Sequence, residues 1–272
     1  MTVPVYDSAA RGFLIVEEIR ELFRFREFLR LAILHSVAKR YKRSVLGVLW
    51  TLLNPLLTMA VLTFVFSAAF SSSLQRYPIY LLTGIIFWQF FSQTTVQATN
   101  SLVWGSSLLK RIYVPRSIFV VAAAGGGLVN LIVSVMMLIV IMAILRQPFY
   151  VTGWFLPVAI LLLAMFTLGV GLFVSALAVQ FTDVVDMYQM VIQILFWFTP
   201  IMYPKTVLPE QYVWLININP LYHLLELFRA PLYNGWIPGP NTIAAAAGAS
   251  VISLLMGWWF FIWQADRIVY RI

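Results

Sequence analysis

Residues 39–57 read Lys39-Arg40-Tyr41-Lys42-Arg43-Ser44-Val45-Leu46-Gly47-Val48-Leu49-Trp50-Thr51-Leu52-Leu53-Asn54-Pro55-Leu56-Leu57. A dense basic cluster stops at Arg43, and no charge follows until Arg76. Lysine and arginine resist entry into hydrocarbon, whereas the run that follows gains nothing by staying in water. The junction is a water–membrane boundary, and the excess of positive charge puts it on the cytoplasmic side.

Working outward, the whole chain agrees with this junction. Of its 272 residues, 62% are hydrophobic and 10% are charged, where a soluble domain carries roughly 25% charged residues. Such a chain has too little polar surface to face water and reads as an integral membrane protein. The net charge of +8 does not point to nucleic acid, because nine of the 18 Lys and Arg precede residue 44. That distribution suits topology and anionic lipid headgroups. The absence of cysteine excludes disulfides and thiolate metal sites. His35 and His223 stand far apart and make no metal motif. Charges interrupt the first 30 residues, so no cleavable signal peptide is expected.

Residues 13–43 place Ile15, Ile19, Leu22, Leu29 and Ile33 at helical spacing, with Arg20, Arg24 and Glu27 on other faces. This predicts an amphipathic helix in the cytoplasmic interface. Uncharged stretches then cover residues 44–75, 77–109, 117–145 and 147–182. With about 20 residues needed to cross a bilayer, helices are expected near 48–69, 79–102, 117–145 and 155–179. A short fifth helix is expected at 187–203 and a sixth at 241–264, where Trp258, Trp259 and Trp263 suit an aromatic belt. Between the last two, 208–216 and 221–233 are too short to span, and Asn219-Pro220 separates them. They predict re-entrant helices forming a lid over 204–240, with an interfacial loop as the alternative. The expected fold is therefore all-α and a single domain over residues 1–272, with six transmembrane helices over 48–264. With both termini inside, 14 of the 18 Lys and Arg fall on the cytoplasmic side, which supports the N-in, C-in arrangement.

The expected spans hold almost no ionisable side chain, so an ion-coupled carrier lacks its usual midplane site. No G-x-x-x-x-G-K-[ST] occurs, and Gly125-Gly126-Gly127 is followed by Leu128, Val129 and Asn130. That triplet reads as packing and not as a phosphate loop. Asp183 and Asp186 share a helical face, as a magnesium-binding transferase would need, but no second acidic cluster completes a site. Glu226 and Arg229 lie at i,i+3 in the expected lid, either as a structural pair or as a gate. Phe66 and Phe70, Phe87 and Phe91, and Tyr188, Phe196 and Tyr203 are grouped at helical spacing. Aromatic faces suit sugar rings, and lipid contact is the plainer use of the same residues.

Four segments together resemble one family. They are Arg40-Tyr41-Lys42-Arg43-Ser44-Val45-Leu46-Gly47 with Trp50 and Pro55, then Phe181-Thr182-Asp183-Val184, then Phe198-Thr199-Pro200-Ile201-Met202-Tyr203-Pro204, and finally Asn219-Pro220-Leu221. From about residue 25 onward the chain is similar to the membrane subunit of ABC exporters for polysaccharides and polyol phosphates: O-antigen, capsule and teichoic acid chains. In that family a basic residue usually precedes the Asp of the second motif, and here Thr182 stands there, so any ion pair made by that residue is absent.

The resemblance implies a homodimer in the bacterial cytoplasmic membrane with two copies of a separate ATPase, which holds the ATP and magnesium. This chain would carry no cofactor and no catalytic residue. The substrate would be a lipid-linked glycan, passing between two copies along the first, second and fifth spans, with Phe66, Phe70, Phe87, Phe91, Tyr188, Phe196 and Tyr203 as path candidates. The ATPase would meet the interface helix and two loops through Arg24, Lys110, Arg111, Arg116, Asp183 and Asp186. Arg40, Lys42 and Arg43 would form the hinge into the first span, and Glu226 and Arg229 would serve the lid. Three rivals are a drug or small-lipid ABC permease, a membrane transferase using Asp183 and Asp186, and an uncoupled channel. The first commonly carries a large extracellular domain between its first two spans, for which residues 70–78 leave no room.

Overall fold

The computed structural model describes residues 14–41, 49–70, 76–104 and 114–271, and among them there is no β-strand. The described residues form ten α-helices: α1 (Leu14–Arg24), α2 (Arg26–Tyr41), α3 (Leu49–Phe70), α4 (Tyr77–Trp104), α5 (Ser117–Ile144), α6 (Leu156–Gln180), α7 (Val184–Phe198), α8 (Val213–Ile218), α9 (Pro220–Tyr233) and α10 (Pro240–Arg271). Short 3-10 turns at Val151–Phe155, Lys205–Val207 and Glu210–Tyr212 link them.

The chain around residues 13–43 is not one helix. It breaks at Phe25 into α1 and α2, although Phe25 N–H still donates to Glu21 O and Leu29 N–H to Phe25 O. The two halves then do different work. α1 packs against α5 and α10, and α2 packs along α5. Gly125 and Gly126 make the second contact possible. A Cβ on Gly125 would lie 2.6 Å from Ile33 Cδ1, and one on Gly126 would lie 2.7 Å from Ser36 Oγ. Gly127 faces Thr94 of α4 in the same way. The glycine triplet is a packing surface with neighbours on two sides.

α4 is the centre of the molecule. It packs on α3, α5, α6, α7 and α9, and its first half is buried almost side chain by side chain from Tyr77 to Phe91. α6 and α10 make the closest backbone contact. A Cβ on Gly169 would run into the backbone of Ser253 and Leu254, and one on Gly257 into the carbonyl of Gly169. In lipid no hydrophobic drive pushes helices together, so close backbone approach through small residues is what holds such a pair.

Helix ends follow local chemistry. Arg76 and Arg146 adopt φ of 56° and 53° at the turns before α4 and after α5. Arg76 Nη1 donates to Gln147 Oε1 at 2.8 Å and ties these turns together. α7 stops at Thr199 because the proline at 200 disfavours helical geometry in the residue before it, and Thr199 is extended at φ −99°, ψ 129°. Asn219 caps α9 by accepting from Leu221 N–H at 3.0 Å, with Pro220 at the first helical position.

Three helical segments are long and apolar enough to cross a membrane: Ser117–Ile144, Val151–Gln180 and Pro240–Gln264. The apolar stretches Leu53–Phe66 and Val184–Phe198 are shorter. α4 has the length, at 28 residues, but it carries many amides and hydroxyls. The two short pieces expected between the fifth and sixth spans are α8 and α9. α9 is no surface loop: Leu221, Leu224, Leu225, Leu227, Phe228, Arg229 and Ala230 are all buried in it.

Candidate functional site

The residue that organises the region after α7 is Arg229. It sits inside α9, a helix otherwise of apolar character on its packed face, and it is 1% exposed. A buried guanidinium needs acceptors, and prolines supply them. Pro200 and Pro204 prevent the segment after α7 from continuing as helix, which frees its carbonyls. Arg229 Nη1 donates to Pro200 O at 2.9 Å and Nη2 to Ile201 O at 3.0 Å. Nε reaches Thr83 Oγ1 on α4 at 3.4 Å. The guanidinium carbon lies 3.8 Å from the centre of the Tyr80 ring, a desolvated cation–π contact.

α4 builds the opposite wall from residues spaced three and four apart. Tyr77 hydroxyl donates to Met202 O at 2.9 Å, and Tyr80 hydroxyl is 2.9 Å from Tyr203 O and 3.3 Å from Pro200 O. Gly84 leaves the room that Arg229 fills, since a Cβ there would collide with Nη2 and come within 3.0 Å of Ile201. Phe87 continues the stripe onto Phe228, with ring centroids 6.2 Å apart. Asn219 closes the knot from the other end, its side-chain amide donating to Thr199 Oγ1 at 3.2 Å. The segment from Thr199 to Tyr203 is thus held by carbonyls, through one arginine and two tyrosines.

Glu226 and Arg229 share a helix but no hydrogen bond or ion pair joins them among the described residues. Arg229 spends its donors on backbone carbonyls, and Glu226 is half-buried beside Tyr222 and Lys205. Burial pushes the Glu226 carboxyl above its usual value, against the pull of Arg229, Lys205 and His223. Burial first, and then Glu226, pushes the Tyr222 phenol up to about 12. Lys205 donates to Asn217 Oδ1 at 2.7 Å and His223 Nε2 lies 2.8 Å from Asn217 O, so α8 is tied to its neighbours by polar contacts.

The aromatic path candidates separate by depth. Phe87 and Phe91 are buried in the core of the single chain, and Phe91 packs on Trp88 and Phe166. Tyr188 is buried between α4 and α7, while Phe66 is half-buried against the same core. Phe196 stands at the edge, 5.4 Å from Trp88, and Tyr203 hydroxyl donates to Trp197 O at 2.7 Å. The side chain of Phe70 lies outside the described residues.

Asp183 and Asp186 are exposed at the start of α7, and Asp183 occupies the N-cap position without a side-chain cap. No cluster of three or more acidic, histidine or cysteine side chains that could hold a metal ion occurs among the described residues. Arg116 is half-buried just before α5, and Arg24 is exposed at the end of α1. Lys42, Arg43, Lys110 and Arg111, and the side chain of Arg40, lie outside the described residues.

Sequence reasoning missed the carbonyl knot. Backbone acceptors carry no residue signature, and the one available signal was an arginine inside an apolar helix near two prolines.

Comparison with known proteins reaches most of the chain. The family described as ABC-2 type transporter matches residues 29–233. An O-antigen export system permease protein, RfbA, of Myxococcus xanthus is 26% identical over 243 residues, covering 88% of this chain and 93% of the relative. The RfbA of Klebsiella pneumoniae is 27% identical over 197 residues, covering 72% and 76%. The polysialic acid transport protein KpsM of Escherichia coli is 25% identical over 229 residues, covering 82% and 88%.

Proposed function

Since this chain belongs to the ABC-2 type transporter family, we propose that it is the membrane permease of an ATP-driven exporter for a bacterial surface polysaccharide. The observation that carries this is the agreement of relatives named for O-antigen and polysialic acid transport over 72% to 88% of the chain. The polymer leaves the cytoplasm attached to a lipid, through the inner membrane, between two copies of this chain. The energy comes from two copies of a partner ATPase, where ATP and magnesium bind.

Six spans with both termini inside suit this role: α3, α4, α5, α6, α7 and α10. α8 and α9 form an outer lid, and Arg229 fastens the lid to the end of α7. A force on α7 therefore reaches the lid through Pro200 and Ile201 carbonyls without a flexible loop between. Asp183 and Asp186 at the start of α7, with Arg116 and Arg24, take the push of the ATPase on the cytoplasmic side. The exposed charge at the foot of α7 and the knot at its other end make this helix the transmission element. Phe196 and Tyr203, at the edge of the core, are better placed for a polymer than Phe87 and Phe91, which the core encloses.

The test is deletion of the chain in its host, with surface polysaccharide stained and lipid-linked polymer measured inside. Loss from the surface with accumulation inside is expected, along with recovery of an ATPase on affinity purification. Unchanged surface polymer, or ATP hydrolysis by the purified chain alone, overturns the reading.

A further inference from the structure

The turn between α5 and α6 carries an apolar surface where a turn in water would be polar. Ser117–Ile144 and Val151–Gln180 are each long and apolar enough to cross a membrane, so the residues joining them sit where hydrocarbon gives way to headgroups. Yet Phe149, Val151 and Trp154 all point outward, Val151 89% and Trp154 65% exposed. Gly235 takes a φ of 77° against the ring of Tyr150, which brings Trp236, also exposed, to the same rim. Arg146 is exposed at the head of the turn. It is the one charged residue between 117 and 182, a range with no carboxylate.

The backbone under this patch is fixed. Thr152 Oγ1 donates to Pro231 O at 3.0 Å, and Gln147 Nε2 donates to Tyr233 O at 3.2 Å. Phe155 is buried, its ring 5.9 Å from that of Trp154. The exposed side chains therefore stand on a turn bound to the C-terminal end of α9.

Water, protein or lipid could cover such a patch. Water is the poorest cover, because each of these side chains gains by leaving it. A second copy is not available to it, since passage between two copies turns α5 away from the partner. Lipid suits both parts of the patch at once. Trp and Tyr rings collect at headgroup level with their apolar body inward and their polar tip toward water. A long basic side chain at a helix end reaches up to phosphate.

We propose that Arg146, Phe149, Val151, Trp154 and Trp236 form a foot seated in the outer leaflet, with Arg146 on a lipid phosphate. Because the turn is hydrogen-bonded to Pro231 and Tyr233, the foot also sets the depth of the lid's inner end. This rests on the topology proposed above, in which the start of α7 is inside and the α5–α6 turn is outside.

The chain has no cysteine, so a bimane fluorophore on Val151→Cys reports that position alone. The permease is purified with a cysteine-free form of its ATPase and placed in vesicles of phosphatidylcholine with a minority of phosphatidylglycerol. Quenching is read with nitroxides near the lipid glycerol, nitroxides at mid-chain, and iodide in the water. Met136→Cys on α5 and Glu210→Cys before α8, both exposed, set the hydrocarbon and water limits. Val151→Cys is expected to be quenched at least ~3-fold more strongly by the glycerol-level nitroxide than by either other probe. Iodide quenching equal to that of Glu210→Cys means a turn in water. Quenching by no probe means a protein cover, and mid-chain quenching equal to that of Met136→Cys means a turn sunk in hydrocarbon. Each of these overturns the foot.

Spin-labelled phosphatidylglycerol is expected to quench ~2-fold more than spin-labelled phosphatidylcholine, since its net charge answers Arg146. Arg146→Asn, a residue that tolerates the φ of 53° there, is expected to abolish that preference. No preference, or one that survives Arg146→Asn, overturns the phosphate contact. Iodide quenching at Asn234→Cys, exposed at the end of α9, is expected to rise ~2-fold when Val151→Ser and Trp154→Ser are added, and no change overturns the link to the lid. Spin-labelled lipid added to one face of sealed membranes tests the topology separately. Quenching from the cytoplasmic face alone overturns the outer-leaflet assignment and the topology together, with the interfacial seat intact. Loss or survival of surface polymer on deletion of the chain bears on export and not on the foot.

Discussion

A fully buried arginine without a carboxylate partner is an expensive choice, and its surroundings explain why it is kept. Its two end nitrogens answer carbonyls that Pro200 and Pro204 have released from helical pairing. Hydrogen bonds from charged groups contribute about 1.5–3 kcal/mol each. Arg229→Gln is therefore expected to lower the unfolding temperature of the purified complex and to uncouple ATP hydrolysis from export. Arg229→Lys keeps charge but loses the planar fork, so it recovers less than half of the loss. Gly84→Ala reaches the same end from the other helix, because its methyl occupies the place of Nη2, and it should match Arg229→Gln in thermal unfolding. Glu226 gives a pH signature. Its carboxyl is raised by burial, so the folded state holds the proton more tightly than the unfolded chain, whose value is near 4.5. Stability then falls as pH rises from about 4.5 through the raised value, and Glu226→Gln should flatten that fall and stabilise the protein above it. A melting curve series between pH 4 and 8 reads both. At this scale the sequence was legible only in part: Arg229 and Glu226 could be picked out as charges in an apolar helix, but their i,i+3 spacing suggested each other as partners. Which carbonyls an arginine meets depends on where a proline 29 residues away breaks a helix, and no local pattern records it.

Among helices, periodicity and charge placement carried far. The helices expected at 79–102, 117–145 and 155–179 are α4, α5 and α6 to within two residues at each end. Arg76 and Arg146 mark both the loop and the sign of the turn, since their positive φ ends one element cleanly. The break at Phe25 was not legible, because the apolar spacing continues through it and the separation comes from what each half packs on: α1 on α5 and α10, α2 on α5. The tightest pair was also hidden. The triplet Gly125-Gly126-Gly127 stands out in the sequence, but the backbone contact of α6 with α10 runs through Gly169 and Gly257. A glycine's importance lies in what crosses it, and that partner lies almost ninety residues on. Gly169→Val is expected to separate the two helices, because it must displace backbone and not a flexible side chain. Loss of the folded complex on gel filtration, with Gly153→Val unaffected at a position where nothing lies within 4 Å, is the expected contrast.

On the scale of the whole molecule, the surface that remains apolar bears on assembly. α3 exposes Leu57, Val61, Phe64 and Val65, and α7 exposes Met187, Met190, Val191, Ile194 and Trp197. Lipid covers such faces as readily as protein does, so exposure alone does not choose between them. The passage proposed between two copies would put α3 and α7 on the inner side of a dimer, with α5 and α10 turned outward. Met190→Cys should then form an intermolecular disulfide or accept a short cross-linker between two copies in native membranes. Met136→Cys and Leu255→Cys, exposed on α5 and α10, should not. The same geometry makes a second demand. If α7 carries force from an ATPase to the lid, the two ends of α7 must fail differently when altered. Asp183→Asn with Asp186→Asn removes charge from an exposed helix start and leaves the knot intact. It should lower recovery of the ATPase on affinity purification while melting temperature and the Met190→Cys cross-link stay as they were. Arg229→Gln should do the reverse, keeping the ATPase bound and its hydrolysis running while export stops. Two variants, one at the start of α7 and one on α9 against the segment that follows α7, would thus separate assembly from transmission. Identical losses of both would instead mean that α7 is structural and that the push travels by another helix.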